Sequence, residues 1–173
     1  MIKKIGIIFV LAYGVFFLNQ NLESAWTFKR LTWNSGYSTN PAIISDSYNH
    51  IHVVWQDNSP GNDEIFYKKS TDSGANWTQK RLTWNSGYSC SSAIASDSNS
   101  HIHVVWEDSS PGNGEIFYKQ STDGGASWPQ TRLTWNSGNS SRPSITVDSN
   151  NYIHVVWCDM TPGNGEIFYK KRD

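Results

Sequence analysis

Several side chains of types that do chemistry recur in this sequence at fixed spacing. Trp33, Trp84 and Trp135 each open a Trp-Asn-Ser-Gly stretch, with Tyr37 and Tyr88 four residues on. Asp57, Asp108 and Asp159 each close an Ile-His-Val-Val-Trp-x-Asp run. Rings that stack on apolar sugar faces, beside carboxylates and amides that bond hydroxyls, suit a saccharide site. The competing role for these Trp is packing between repeats, and for these Asp the capping of turns. His50 with His52, and His101 with His103, set two imidazoles on one strand face, a spacing zinc uses. The third copy has Tyr152 before His154, and no Cys or carboxylate recurs immediately beside the pairs, so no metal is expected. The oxygen-rich stretch from Asp57 to Glu64 offers ligands of the kind calcium takes, but Asp63 becomes Gly114 and Gly165, the mark of turn chemistry. Cys90 and Cys158 occupy different repeat positions, which excludes a repeating metal cage or disulfide framework and leaves one bridge open.

These residues are positioned by a 51-residue repeat. Arg30-Leu31-Thr32-Trp33-Asn34-Ser35-Gly36 returns from Arg81 and from Arg132. Between residues 30–80 and 81–131, 37 of 51 positions are identical. All nine Trp fall on three repeat positions: 26/77/128, 33/84/135 and 55/106/157. A unit of this length cannot bury its own faces and must stack on its copies.

Within the middle copy, Ala93 to Asp97 predicts a short strand, followed by the turn residues Asp97 to Ser100. His101 to Trp106 is a β-branched and aromatic run, apolar on both faces. Glu115 to Lys119 and Trp128 to Thr134 predict two more strands, the last weakened at its start by Pro129. Four short antiparallel strands per unit describe a β-propeller blade, so the expected fold is all-β, about three four-stranded blades in a partial ring. Gly and Pro interrupt every 10 to 15 residues and no 3.6 period appears, which excludes a helical repeat. A sandwich does not account for the constant period.

The turn between the third and fourth strands carries a motif. Ser70, Asp72, Gly74 and Trp77, and again Ser121, Asp123, Gly125 and Trp128, read S-x-D-x-G-x-x-W. It resembles the Asp-box, or bacterial neuraminidase repeat, of sialidase-like β-propellers, and with its strands the resemblance covers residues 26–173. The resemblance implies a structural box away from the catalytic face. It also implies an active site of three arginines, a tyrosine nucleophile paired with a glutamate, and an aspartate acid/base, contributed by blades that differ. Here the blades nearly repeat, and only Arg142, before Pro143, resembles an arginine-bearing strand start of the family. Near-identity favours several equal weak sites over one asymmetric catalytic pocket.

Lys3 and Lys4 precede an apolar run from Ile5 to Leu18, then a polar stretch ending at Ser24-Ala25. This predicts a signal peptide over residues 1–25, with the propeller repeats over 26–173, and a secreted or periplasmic protein. A membrane span needs about 20 apolar residues, more than are present. With 14 basic and 15 acidic residues and no Lys/Arg run, nucleic acid is not an expected partner. No cofactor is expected. The expected function is non-catalytic binding of a carbohydrate or protein partner. The alternatives are a fragment of an exo-α-sialidase-like hydrolase and a purely structural module. Three blades are fewer than a ring needs. Trp26 aligns with Trp77, so residues from Trp26 onward read as a fourth strand, while Lys170 to Asp173 follow a third strand; a homodimer completing a six-bladed ring is the expected assembly.

Overall fold

A computed structural model describes residues 5–11, 14–20 and 26–173. The expected signal exit at residues 23–25 lies outside them. Two compact units are present, residues 1–33 and 34–173. In the first, β1 (Ile5–Leu11) and β2 (Gly14–Gln20) pair antiparallel, and residues 26–33 form no strand.

The second unit is three antiparallel meanders. The first blade is β3 (Ser38–Ser45), β4 (Ile51–Asp57), β5 (Glu64–Ser70) and β6 (Thr78–Arg81), hydrogen-bonded in that order. The second repeats it with β7 (Ser89–Ser96), β8 (Ile102–Asp108), β9 (Glu115–Ser121) and β10 (Gln130–Arg132). The third has β11 (Ser140–Val147), β12 (Ile153–Asp159) and β13 (Glu166–Arg172), with no fourth strand among the described residues. Contacts between neighbouring sheets run mainly through β3, β7 and β11. The sheets therefore converge on their first strands and splay outward, the radial arrangement of propeller blades.

The central strand β8 is apolar on both faces because a neighbouring blade covers each. Val54, Ile65, Leu82, Ile94, Val104 and Trp106 form the core between the first and second blades. Val105, Ile116, Ile153, Val155 and Trp157 form the core between the second and third. The fourth strands are shorter than the sequence predicts, three or four residues. Their side of the sheet faces water, and Pro129 has no N–H to give a ladder.

Turn chemistry sets the ends of the strands. Asp46 Oδ1 accepts the backbone N–H groups of Tyr48 and His50, both at 2.9 Å, while Asn49 takes a left-handed φ of 61°. Asp97 and Asp148 repeat this. Each first strand carries a bulge, where Asn40, Ser91 and Arg142 sit at φ of 50°, 54° and 52°.

Candidate functional site

The segment leaving each fourth strand crosses the blade edge and carries the exposed indoles. Leu82 N–H donates to Ile65 O at 2.7 Å, and Ile65 N–H donates to Thr83 Oγ1 at 2.8 Å. Arg81 and Asn85, on either side of Trp84, both donate to Glu64 Oε1, at 2.8 and 3.0 Å. Glu64 is wholly buried, so this carboxylate pins the segment and leaves Trp84 to face out, 64% exposed. The Arg81 guanidinium lies 5.6 Å from the Trp84 ring centroid, and Lys119 Nζ of the next blade lies 5.9 Å from it. Trp135 repeats the arrangement with Arg132 at 5.7 Å, Lys170 at 5.6 Å and buried Glu115 bonded to Arg132 at 2.8 Å. Trp33 is 67% exposed with Arg30 5.7 Å from its centroid. Cations near a ring face stabilise by about 0.5–1 kcal/mol at exposed sites and fix the indole plane.

Asp57, Asp108 and Asp159 do not stand open on this rim. All three are buried, and their oxygens are occupied. Asp108 Oδ2 accepts from Asn85 Nδ2 at 2.7 Å, Ser89 Oγ at 3.0 Å and Trp106 Nε1 at 3.0 Å, and Oδ1 accepts from Ser110 N–H at 2.9 Å. Burial pushes the Asp57 carboxyl up, yet the bonds from Ser38, Ser59 and Asn34 outweigh it and hold the group down to about 2. These aspartates tie the inter-blade segment to the loop after the second strand. Gly87 lies in that junction, where a Cβ would collide with the backbone at Ser109 and Ser110, so the Asn-Ser-Gly motif is a packing requirement.

Tyr37 and Tyr88 are 77% and 61% exposed, and their backbone N–H groups are held by Asn58 Oδ1 at 2.7 Å and Ser109 Oγ at 2.8 Å. Arg142 is exposed at the start of β11, its N–H donating to Glu107 Oε2 of the second blade at 3.4 Å. Burial raises the Glu107 carboxyl pKa against the pull of Arg142. The equivalent bond in the first pair of blades runs from Ser91 N–H to Gln56 Oε1 at 3.1 Å. Arg81 and Arg132 are committed to Glu64 and Glu115.

The opposite ends of the strands carry the Ser-x-Asp-x-Gly turns and the histidines. Ser70 Oγ donates to Asp72 Oδ1 at 2.8 Å and accepts Gly74 N–H at 2.8 Å; Asp72 Oδ1 accepts Asn76 N–H at 2.8 Å. Trp77 Nε1 donates to Gly74 O at 2.9 Å. Ser121, Asp123, Gly125 and Trp128 repeat the turn. Bonds from the Asn76 backbone and side chain and from Ser70 hold Asp72 down to about 2, so it is an acceptor within its turn.

The sequence shows no carboxylate immediately beside the histidine pairs, but the structure supplies one from six residues earlier. Asp46 Oδ2 meets His50 Nδ1 at 3.0 Å and His52 Nε2 at 3.1 Å, and His52 Nδ1 meets Tyr67 OH at 2.7 Å. Asp148, His154 and Tyr169 repeat this chain, and Asp97, His103 and Tyr118 occupy the same places, with His103 bonded to Tyr118 but its Nε2 3.5 Å from Asp97 Oδ2 and unbonded. The ligand atoms of Asp46, His50 and His52 all lie within 4.8 Å of one another and could hold a divalent ion. The Asp–His–Tyr chain persists in the third blade, where Tyr152 replaces the outer histidine, so hydrogen bonding alone accounts for its inner members. Cys90 and Cys158 are free and half-buried, and burial pushes the Cys90 thiol up to about 11.

No protein-family model and no curated protein sequence matches this chain. Solved structures do. A protein of unknown function from Dyadobacter fermentans superposes with a TM-score of 0.66 at 13% identity, over 99% of this chain and 52% of its own. A Trypanosoma rangeli sialidase in complex with sialic acid gives 0.57 at 13%, over 100% of this chain and 32% of its own. A fucose lectin from Kordia zhangzhouensis in complex with methyl-fucoside gives 0.52 at 18%, over 76% of this chain and 92% of its own. The chain thus spans about half of the Dyadobacter protein and about a third of the sialidase. At these identities the likeness establishes the fold: an incomplete β-propeller.

Proposed function

We propose that this chain is an exported, non-catalytic sialidase-like propeller segment that binds carbohydrate through its repeated exposed indoles. The carrying observation is Trp84 and Trp135, each held outward by a buried glutamate and flanked by cations from two blades. A fixed indole with an open face suits the apolar face of a pyranose, and equal sites along the blades favour multivalent binding. The lectin likeness supports this, since the superposed part is nearly that whole lectin chain. The carboxylates that repeat on the rim are spent on loop bonds, whereas glycoside cleavage needs two placed across one sugar. Lys3 and Lys4 ahead of the apolar run support export to the outside of the cell or the periplasm. Arg142 at the head of β11 favours, as a second reading, a fragment of a sialidase-like hydrolase whose other site residues lie on other blades.

Tryptophan fluorescence titrated with methyl fucoside and with sialic acid, beside a glycan array, tests the proposal. Trp84→Ala with Trp135→Ala is expected to weaken glycan binding roughly tenfold or more, as loss of an anchoring aromatic does. Unchanged binding removes these indoles from the site, and turnover of a fluorogenic sialoside overturns the non-catalytic assignment.

A further inference from the structure

The two interfaces between blades share one plan and differ most at one place. Between the first and second blades, Trp128 of the second Asp-box reaches back onto the first blade. Its ring meets Tyr67 edge-on, with centroids 5.0 Å apart and planes at 68°, and it packs against the core there. Lys69 Nζ bonds Gly124 O, and Lys80 Nζ bonds Ala126 O, so the whole turn is seated on the preceding blade. Between the second and third blades, Tyr118 stands where Tyr67 stood, stacked on His103 and with no indole against it among the described contacts. The place is a cavity of about 370 Å³, walled by Tyr118, Leu133, Ile153 and Val155 and edged by Lys170 and Arg172.

The outer edge of β13 has the same history. Ile65 and Ile116 are fully buried beneath β6 and β10, whereas Ile167 is 74% exposed. Tyr67 and Tyr118 are buried, but Tyr169 is 58% exposed. Glu64 and Glu115 each bond an arginine at 2.8 Å, while Glu166 is exposed and bonds only its neighbour Asn164 among the described contacts.

One segment of this chain has the missing chemistry. Residues 26–33 read Trp-Thr-Phe-Lys-Arg-Leu-Thr-Trp, and residues 77–84 read Trp-Thr-Gln-Lys-Arg-Leu-Thr-Trp, identical at seven of eight places. Residues 26–33 form no strand, and Trp26 and Phe28 are fully exposed. We propose that this segment of a second copy of the chain adds to β13 as its fourth strand, with Trp26 filling the cavity against Tyr118 as Trp128 fills its counterpart against Tyr67. The pairing of β5 with β6 fixes the register: Phe66 faces Arg81 and Lys69 faces Thr78. Transferred by the repeat, Phe168 faces Arg30, Lys171 faces Thr27, and Arg30 meets Glu166. Two chains exchanging these strands bring six blades together, a number within the range that propellers adopt.

Light scattering of the full chain at about 1–100 µM, with near-UV circular dichroism as the check on folding, tests this. The expected mass is that of a dimer. Trp26→Ala and Arg30→Glu are each expected to raise the dissociation constant about 30-fold or more, the effect of losing a central anchor. Glu166→Arg alone should do the same, and Arg30→Glu combined with Glu166→Arg should restore the dimer. A monomer at 100 µM overturns the proposal. So does a dimer that survives both Trp26→Ala and Arg30→Glu, which places the association elsewhere, for instance in the apolar run of residues 5–18. Failure of the charge swap to restore association refutes the register.

Discussion

Gly74 and Gly125 hold the same place in the two Ser-x-Asp-x-Gly turns, yet alanine is expected to be tolerated very differently. Both have a positive φ, 89° and 97°, so a side chain at either costs about 1–2 kcal/mol in backbone strain. Reduced freedom of the unfolded chain returns about 0.4–1 kcal/mol in both. The surroundings then separate them. A Cβ at 74 meets only Trp77, at an ordinary 3.8 Å. A Cβ at 125 falls 2.9 Å from the Tyr67 hydroxyl oxygen and 3.0 Å from its ring, and Tyr67 is held by His52 and by Trp128. Forcing a methyl into such a contact costs about 1–3 kcal/mol. Gly74→Ala should therefore lower stability by about 1 kcal/mol or less, and Gly125→Ala by roughly 2 kcal/mol more. For a chain of this size that is a gap of about 4–8 °C in Tm, readable by differential scanning calorimetry. Equal melting within about 1 °C would refute the seating of the second turn on the first blade.

Two further outcomes are expected. Burial depresses the pKa values of His52 and His103, so both fold as neutral imidazoles despite the nearby aspartates. Their contribution is fully present above the unfolded value of 6.5 and is lost as pH falls from there toward the lower folded values, because the unfolded chain takes up protons first. The urea midpoint should drop between pH 7.5 and 5, and a flat profile would refute the burial of these rings as neutral groups. Arg142 holds a left-handed φ that Asn40 holds in the first blade, and asparagine tolerates that region better. Arg142→Asn should leave the melting temperature unchanged or raised by a degree or two while relieving the pull on Glu107; a loss of more than about 1 kcal/mol would show that the guanidinium supports the fold.

Much of this architecture is legible in the chain because each cause is local. Asp72 and Asp123 bond backbone N–H groups three or four residues on, and a turn that closes over so few residues leaves its signature in the local sequence. The run from Ile51 to Trp55 announces a strand covered on both faces. The rim was legible only in part. Trp84 and Trp135 do face out, but Asp57, Asp108 and Asp159 are buried beneath them, since a carboxylate two residues beyond a core Trp accepts the indole N–H before it meets solvent. Glu64 and Glu115 recur with the period, but nothing local shows that they aim the indoles, because the partners of Glu64 lie 17 to 21 residues away. Asp46 also closes a turn, and only folding brings its second oxygen onto two histidines.

By itself the sequence determined the unit: a 51-residue period, four strand segments, turns that cap themselves, and the expectation that copies stack. Those features follow from backbone sterics, short-range hydrogen bonds and the alternation of apolar residues. Tertiary structure decided which of two chemically equal groups faces water. Tyr67 is covered by Trp128 and Tyr169 is not; Ile65 is sealed and Ile167 is open. Identical letters differ there because burial depends on the neighbouring blade, and no residue carries that information alone.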